Sequence, residues 1–195
     1  MPRQFQRYTA RRYAVGKKLG AHALLTNQRG AGAAAKRKSS VTMTEGVSNH
    51  FITSILEPTC EDFRGVFSAD TIPVLQLLQY DTSSIVCNLS KVGERGSHFV
   101  TIICQPNRVL YIDSLGLPSL VPAINSFLLK FKKPIFCNSR QIQDAASKFC
   151  GFYCILFVLY FNRQATPLRF ESANLLLNDQ LCVKKICELL NKSLY

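Results

Sequence analysis

Acidic residues are absent from the first forty positions of this 195-residue chain, although the whole chain contains 12 of them. The same forty positions hold ten Lys and Arg, which supply +10 of the formal net charge of +12. The remainder is nearly neutral, and 47% of the chain is apolar, which argues against a wholly disordered protein. The charge pattern predicts a neutral globular body with a cationic N-terminal tail.

Long apolar runs are also missing, since none reaches the roughly 18 residues that a membrane-spanning helix requires. No apolar segment follows the N-terminal charges, so neither a secretory signal nor contact with a membrane is expected. The eight cysteines include no C-x-x-C pair, and only three histidines are present, which disfavours a metal site. Most cysteines lie in apolar stretches, which favours reduced, buried thiols and a nuclear or cytoplasmic protein.

Residues 1–43 repeat Gly, Ala, Ser and Arg without apolar periodicity, which predicts a basic disordered tail. Ten uncompensated cations favour an arm, residues 1–40, that contacts nucleic acid, and Lys-Arg-Lys at 36–38 is typical of a nuclear-import signal. A solubilising extension would explain the same composition. Residues 44–195 are then predicted to form a single domain, long enough to bury a core.

Apolar and β-branched patterns in that domain predict an α+β fold with a small, mainly antiparallel sheet. The predicted helices are residues 51–57, 72–80, 119–131, 150–161 and 179–194, and the predicted strands are 84–89, 99–104, 109–113 and 134–138. Residues 62–70 read as a loop, and 105–108 as a hairpin turn. The 150–161 segment is apolar all round and too short to span a membrane, which predicts a central buried helix.

Cys150 is the candidate nucleophile, because it lies between the polar loop 141–148 and the buried helix. The positive end of a helix dipole favours a thiolate, the reactive form of cysteine. Gly151 is expected to let a substrate backbone approach closely. The other seven cysteines are interpreted as inert buried thiols.

His98 is the candidate base, since it precedes a predicted strand and can face a cleft at the sheet end. Asp113 ends the next strand, and a tight hairpin brings the far ends of its two strands together. A carboxylate there would hold the imidazole tautomer and stabilise its charged form. The ordinary alternatives are a structural histidine and a turn-forming aspartate.

A side-chain amide in the loop before Cys150 could donate a hydrogen bond to a developing oxyanion, and the Cys150 backbone N–H could donate another. Gln143 precedes Cys150 by seven positions. Gln141 is only two positions further away, so the pattern leaves open which glutamine serves.

The order His98, Asp113, Gln143, Cys150-Gly151 resembles the adenovirus-protease (adenain) and SUMO/ubiquitin-like-protein protease superfamily. The segment 143–154, with Gln, six residues and then Cys-Gly, carries most of the resemblance. Phe99 replaces the tryptophan that usually follows the histidine. Asp113 stands where adenain has Glu, as in the SUMO proteases.

The resemblance implies an adenain-like cysteine endopeptidase with a His-Asp-Cys triad, cleaving polypeptides after small residues, especially Gly. It also implies a monomeric viral or virus-derived maturation protease that processes virion precursors in the host nucleus and the virion. No cofactor is required for the chemistry. An activating peptide and DNA are implied as regulators, with Cys137 as a candidate for a disulfide to that peptide. Gln28 to Gly32 partly resembles an adenain cleavage site, which raises self-trimming of the tail as a hypothesis.

Two other functions fit the sequence. The same chemistry could act on SUMO- or ubiquitin-like conjugates as an isopeptidase. Alternatively, the chain could be a non-catalytic nucleic-acid-binding virion protein on a protease-like scaffold.

Overall fold

The computed structural model describes residues 5–7, 46–163, 170 and 174–191, so most of the predicted tail lies outside the described residues. The described helices are α1 (Asn49–Leu56), α2 (Val74–Leu77), α3 (Pro122–Leu129), α4 (Cys150–Asn162) and α5 (Leu175–Asn191). The described strands are β1 (Phe5–Arg7), β2 (Phe63–Ser68), β3 (Ser83–Asn88), β4 (Phe99–Gln105), β5 (Arg108–Ile112) and β6 (Ile135–Asn138).

The strands form one mixed sheet in the order β1-β6-β5-β4-β3-β2. Its centre is the antiparallel meander β3-β4-β5, with β1 antiparallel to β6 at one edge. The pairs β2-β3 and β5-β6 are parallel. The predicted hairpin is present, and Gln105 pairs with Arg108 across its turn.

Helices cover both faces of the sheet, which confirms the predicted α+β class. On one face, α4 packs with α1 and α5 in an apolar cluster that includes Tyr153, Leu156 and Leu159. On the other face, α3 covers the side chains of Val100, Ile102 and Tyr111. Because α4 is enclosed by the sheet and two helices, its sequence has no polar side to present to water. The predicted central buried helix is therefore present.

Local sequence explains where two of these helices begin. Ser48 precedes α1, and its Oγ accepts a hydrogen bond from the Phe51 N–H at 3.1 Å, which caps the helix. Pro122 occupies the first turn of α3, where a missing backbone N–H costs nothing.

The largest differences from the sequence prediction concern three elements. Residues 62–70 do not form only a loop, because β2 runs through them parallel to β3. Its register shifts between Phe63 and Val66 around Gly65, whose φ of 122° suits glycine alone, and this irregularity breaks the alternation of a regular strand. The helix predicted over 72–80 is reduced to the single turn α2. A short strand, β1, lies within the segment predicted as a disordered tail.

Candidate active site

His98 and Asp113 lie at the same end of the sheet, because antiparallel pairing brings the start of β4 beside the end of β5. The His98 Nε2 and the Asp113 Oδ1 are 2.7 Å apart. The His98 side chain is 14% exposed and the Asp113 carboxyl only 2%. This spacing is that of a charge-assisted hydrogen bond shielded from solvent.

The pKa of His98 is set by opposing effects. Burial, the largest single one, lowers it, whereas hydrogen bonds and charge interactions with Asp113 and Cys150 raise it. The raising effects together win, and the pKa of His98 rises from 6.5 to about 9. Since Asp113 takes Nε2, Nδ1 is the ring nitrogen left for the Cys150 thiol. His98 thus contacts a buried carboxylate, and its raised pKa also reflects interaction with Cys150.

Asp113 is fixed by hydrogen bonds of its own. Its Oδ1 also accepts from the Leu115 N–H at 2.8 Å, which closes an Asx-turn. The Asn138 side chain, at the end of β6, accepts from the Asp113 N–H at 2.8 Å and donates to the Asp113 carbonyl at 2.6 Å. Asp113 therefore both forms a turn and contacts the histidine.

Hydrogen bonds connect the loop after β5 with the loop after β6, and these bonds position Gln143. The Ser114 carbonyl accepts from the Ile142 and Gln143 N–H groups at 2.9 and 3.0 Å. The Ser114 hydroxyl donates to the Gln143 Oε1 at 2.5 Å. Gly116, with φ 70°, permits the close approach, since a Cβ there would lie 2.6 Å from the Arg140 carbonyl carbon.

The two glutamines now differ clearly. Gln141 is exposed, and its Nε2 donates to the Gln143 carbonyl at 2.9 Å. Gln143 is buried, and its Nε2 donates one hydrogen to the Ser147 carbonyl at 3.0 Å. An amide nitrogen carries two hydrogens, so the second remains available to an acceptor. Gln143 therefore differs from Gln141 in being buried and held at both ends of its amide group, by the Ser114 hydroxyl and the Ser147 carbonyl.

Cys150 is the first residue of α4 and is only partly buried. The preceding residue, Phe149, makes no side-chain capping bond, so the first N–H groups of the helix have no capping partner there. Those groups concentrate the positive end of the helix dipole beside the Cys150 sulfur and leave its own N–H for an incoming oxygen.

The expected role of Gly151 is wrong, because packing within the protein occupies the space beside it. A Cβ at this position would lie 2.2 Å from the Val47 Cγ2 and 3.3 Å from the Ile52 Cδ1. Gly151 is buried, and because it has no side chain, the segment leading into α1 can pack on α4. A substrate backbone has no access to that side of the helix.

Cys137 is not brought to the site. It lies on β6 with its side chain among the residues that α3 covers, on the sheet face opposite to α4. Burial raises the pKa of its thiol to about 11, which keeps it neutral and unreactive. The predicted disulfide to a peptide would require this thiol to become exposed.

The part of the chain that the structure describes holds no group of three or more His, Cys, Asp or Glu arranged to bind a metal ion. Within the same residues, no helix is long and apolar enough to cross a membrane.

Sequence reasoning missed the residues that position the site. Asn138 ends β6 at the same end of the sheet as Asp113, which follows the parallel strand β5. A polar residue at the end of a strand was the available signal. Ser114 gave no signal distinct from a turn residue. Tyr153 on α4 and Asp179 on α5 contact each other although they lie 26 positions apart in the sequence. Tyr153 gave no signal because it lies within an apolar run.

No protein-family model matches the chain, and no curated protein matches it. Solved structures do match. SUMO protease Ulp1 with its catalytic cysteine oxidised to a sulfonic acid is 17% identical, with a TM-score of 0.49 over 79% of this chain and 82% of that one. ChlaDub1 from Chlamydia trachomatis is 14% identical, with a TM-score of 0.44 over 80% of this chain and 97% of that one. The similar structures thus include a SUMO protease.

Proposed function

We propose that this chain is a cysteine peptidase in which Cys150, His98 and Asp113 act as a triad. The observation that supports the proposal is the His98 imidazole, which lies 2.7 Å from a buried carboxylate and whose raised pKa reflects interaction with Asp113 and with Cys150, the first residue of α4. A raised histidine pKa stabilises the imidazolium that accompanies a thiolate. A histidine with a purely structural role would not require a cysteine at a helix N-terminus beside it.

The first half of the reaction is acyl transfer to sulfur. The Cys150 thiolate attacks the scissile carbonyl, a C–S bond forms, and the carbonyl electron pair moves onto oxygen. The Cys150 N–H and the free Gln143 amide hydrogen stabilise that oxyanion. His98 then donates its proton to the amine nitrogen as the C–N bond breaks, which releases one product and leaves a thioester.

The second half regenerates the enzyme. Neutral His98 takes a proton from water, and the hydroxide attacks the thioester carbonyl. The C–S bond breaks, the acid product leaves, and the thiolate and imidazolium re-form. Asp113 keeps Nε2 protonated throughout, so that Nδ1 faces the sulfur.

The testing experiment is cleavage of a Gly-containing peptide library by the wild type and by Cys150→Ser. We expect cleavage by the wild type only, after small residues. Cys187→Ser is the matched control, because Cys187 is an exposed free thiol on α5. Equal activity of Cys150→Ser and wild type would refute the proposal, and loss of activity in Cys187→Ser would indicate the wrong sulfur.

The substrate class rests on the sequence resemblance, which points to polypeptides cut after glycine and, more narrowly, to virion precursors. An isopeptidase acting on ubiquitin-like conjugates is a second candidate, favoured by Asp113 where adenain has Glu. The two separate on a fluorogenic conjugate ending in Gly-Gly, which an isopeptidase hydrolyses well and a strict maturation protease poorly. A Cys150→Ser sample run beside it reports any background hydrolysis.

A nucleic-acid arm is proposed for residues 1–40, on their charge of +10 alone. Cations that neutralise phosphates release counterions, so affinity should fall steeply with salt. Titrations of DNA with and without residues 1–40 would test this. The expected result is a large loss of affinity and of salt dependence after deletion, and an unchanged slope would refute it.

A further inference from the structure

A buried polar cluster behind the loop that carries Gln143 places one hydroxyl group between two oxygen acceptors. The Tyr153 hydroxyl on α4 lies 3.0 Å from the Ile142 carbonyl oxygen and 2.9 Å from the Asp179 Oδ1 on α5. Ile142 directly precedes Gln143, whose amide is the proposed oxyanion donor. A phenol has one hydrogen and can donate it to only one of these oxygens.

If Asp179 were a carboxylate, both neighbours of the Tyr153 oxygen would be pure acceptors. The hydroxyl would donate to one of them, and the other contact would set two lone pairs 3.0 Å or less apart. That arrangement is repulsive in a buried site, where no water can intervene. A proton on Asp179 removes the conflict, because Oδ1–H then donates to Tyr153 and Tyr153 donates to Ile142.

The surroundings of Asp179 favour the neutral acid. The residue is 1% exposed, and no described cation pairs with it. Burial raises the pKa of Asp179, and the charge of Asp144 acts in the same direction. The Ser147 and Tyr153 hydroxyls and the Asp144 backbone lower it, but burial is the larger effect. Cys182, on the same helix, is a buried neutral thiol.

Asn178 completes the cluster from the neighbouring position on α5. Its Nδ2 donates to the same Ile142 carbonyl at 3.0 Å, so this one oxygen is held from two helices. The Ile142 and Gln143 N–H groups are held from the opposite side by Ser114. The backbone that carries Gln143 is thereby fixed between α4, α5 and the Asp113 turn.

We propose that Asp179 is a protonated carboxylic acid that donates through Tyr153 to the Ile142 carbonyl, making both side chains positioning residues for Gln143. The positioning role rests on the proposed peptidase function, whereas the protonation state does not. Neither residue touches the reacting atoms.

The first test measures the proton without substrate. In an infrared difference spectrum of wild type against Asp179→Asn at neutral pH, we expect the carbonyl band of one protonated carboxyl group in the wild type only. A carboxylate band in its place would overturn the proposal, whatever the peptidase activity. A protonated band together with an inactive wild type would leave this assignment standing and remove only the proposed function.

The second test compares three variants. Asp179→Asn keeps a donor facing Tyr153 and should retain kcat, whereas Asp179→Ala and Tyr153→Phe should lose about tenfold to 10²-fold in kcat with little change in KM. Alkylation of Cys150 should be unchanged, because its contact with His98 is not altered. Amide hydrogen exchange at Gln143 should be faster in Tyr153→Phe. Asp179→Asn as damaging as Asp179→Ala, or unchanged exchange in Tyr153→Phe, would contradict the relay.

Discussion

Replacing Asp113 with Asn would test how the carboxylate controls the histidine. The rise in the His98 pKa from 6.5 to about 9 corresponds to about 3 kcal/mol in favour of the imidazolium. Among the effects that raise this pKa, the Asp113 hydrogen bond is the largest. In Asp113→Asn, burial would continue to lower the pKa, so it should fall back toward 6.5.

The expected result is a loss of about 10²–10⁴-fold in kcat/KM, because the amide can hold the ring in the wrong tautomer and no longer stabilises the cation. The alkaline limb of the pH profile should also move. In the wild type, activity should fall as His98 loses its proton near pH 9, and in the variant that fall should begin nearer 6.5. An NMR titration of the His98 ring measures the same pKa without substrate.

Asp70→Asn is the matched control, since Asp70 is exposed and its Oδ1 accepts from a backbone N–H, but it contacts no histidine. The control should leave both the pH profile and the His98 titration unchanged. If Asp113→Asn keeps the alkaline limb and the ring titration at the wild-type pH, the reasoning about this pair is refuted.

Three further predictions follow from the packing and hydrogen bonds of the site. Gly151→Ala should destabilise the protein by about 1–3 kcal/mol, because the new methyl group would clash with Val47. Urea unfolding should show that adding Val47→Ala recovers part of this loss. Additive effects of the two substitutions would contradict the clash. Asn138→Asp should cost about 1–3 kcal/mol and reduce activity, because it sets an acceptor against the Asp113 carbonyl, whereas unchanged unfolding and kinetics would exclude this positioning role. The folded-state pKa of His98 lies above its ordinary value, so protonated His98 stabilises the protein fully below pH 6.5, and this stabilisation is lost as the pH rises through 9. The free energy of unfolding should therefore fall by up to about 3 kcal/mol across this interval. The same fall in His98→Gln would assign the effect to another group.

Local patterns predicted the parts of the fold that depend on neighbouring residues. Alternating β-branched residues and the Pro-Asn turn predicted the β4-β5 hairpin, and the apolar run predicted α4. The nearness of His98 and Asp113 followed from the hairpin alone. β2 was missed because Gly65 and a register shift remove the alternation that marks a strand.

Other features depend on contacts between distant segments and could not be predicted. Gln143 is distinguished from Gln141 by its hydrogen bond with Ser114, which lies 29 positions earlier in the sequence. Gly151 looked like a substrate contact because nothing local places Val47 against it. Asp179 looked like an ordinary polar residue near a helix end, and only the fold brings it to Tyr153.

The proposed role of Cys150 as a nucleophile that depends on His98 can be measured by selective alkylation. Mass spectrometry can follow a small thiol-directed electrophile at Cys150 and at exposed Cys187 in the same folded sample near neutral pH. We expect faster modification of Cys150, with the advantage abolished in His98→Ala. Equal rates at the two sulfurs, or modification of Cys150 only after unfolding, would contradict it.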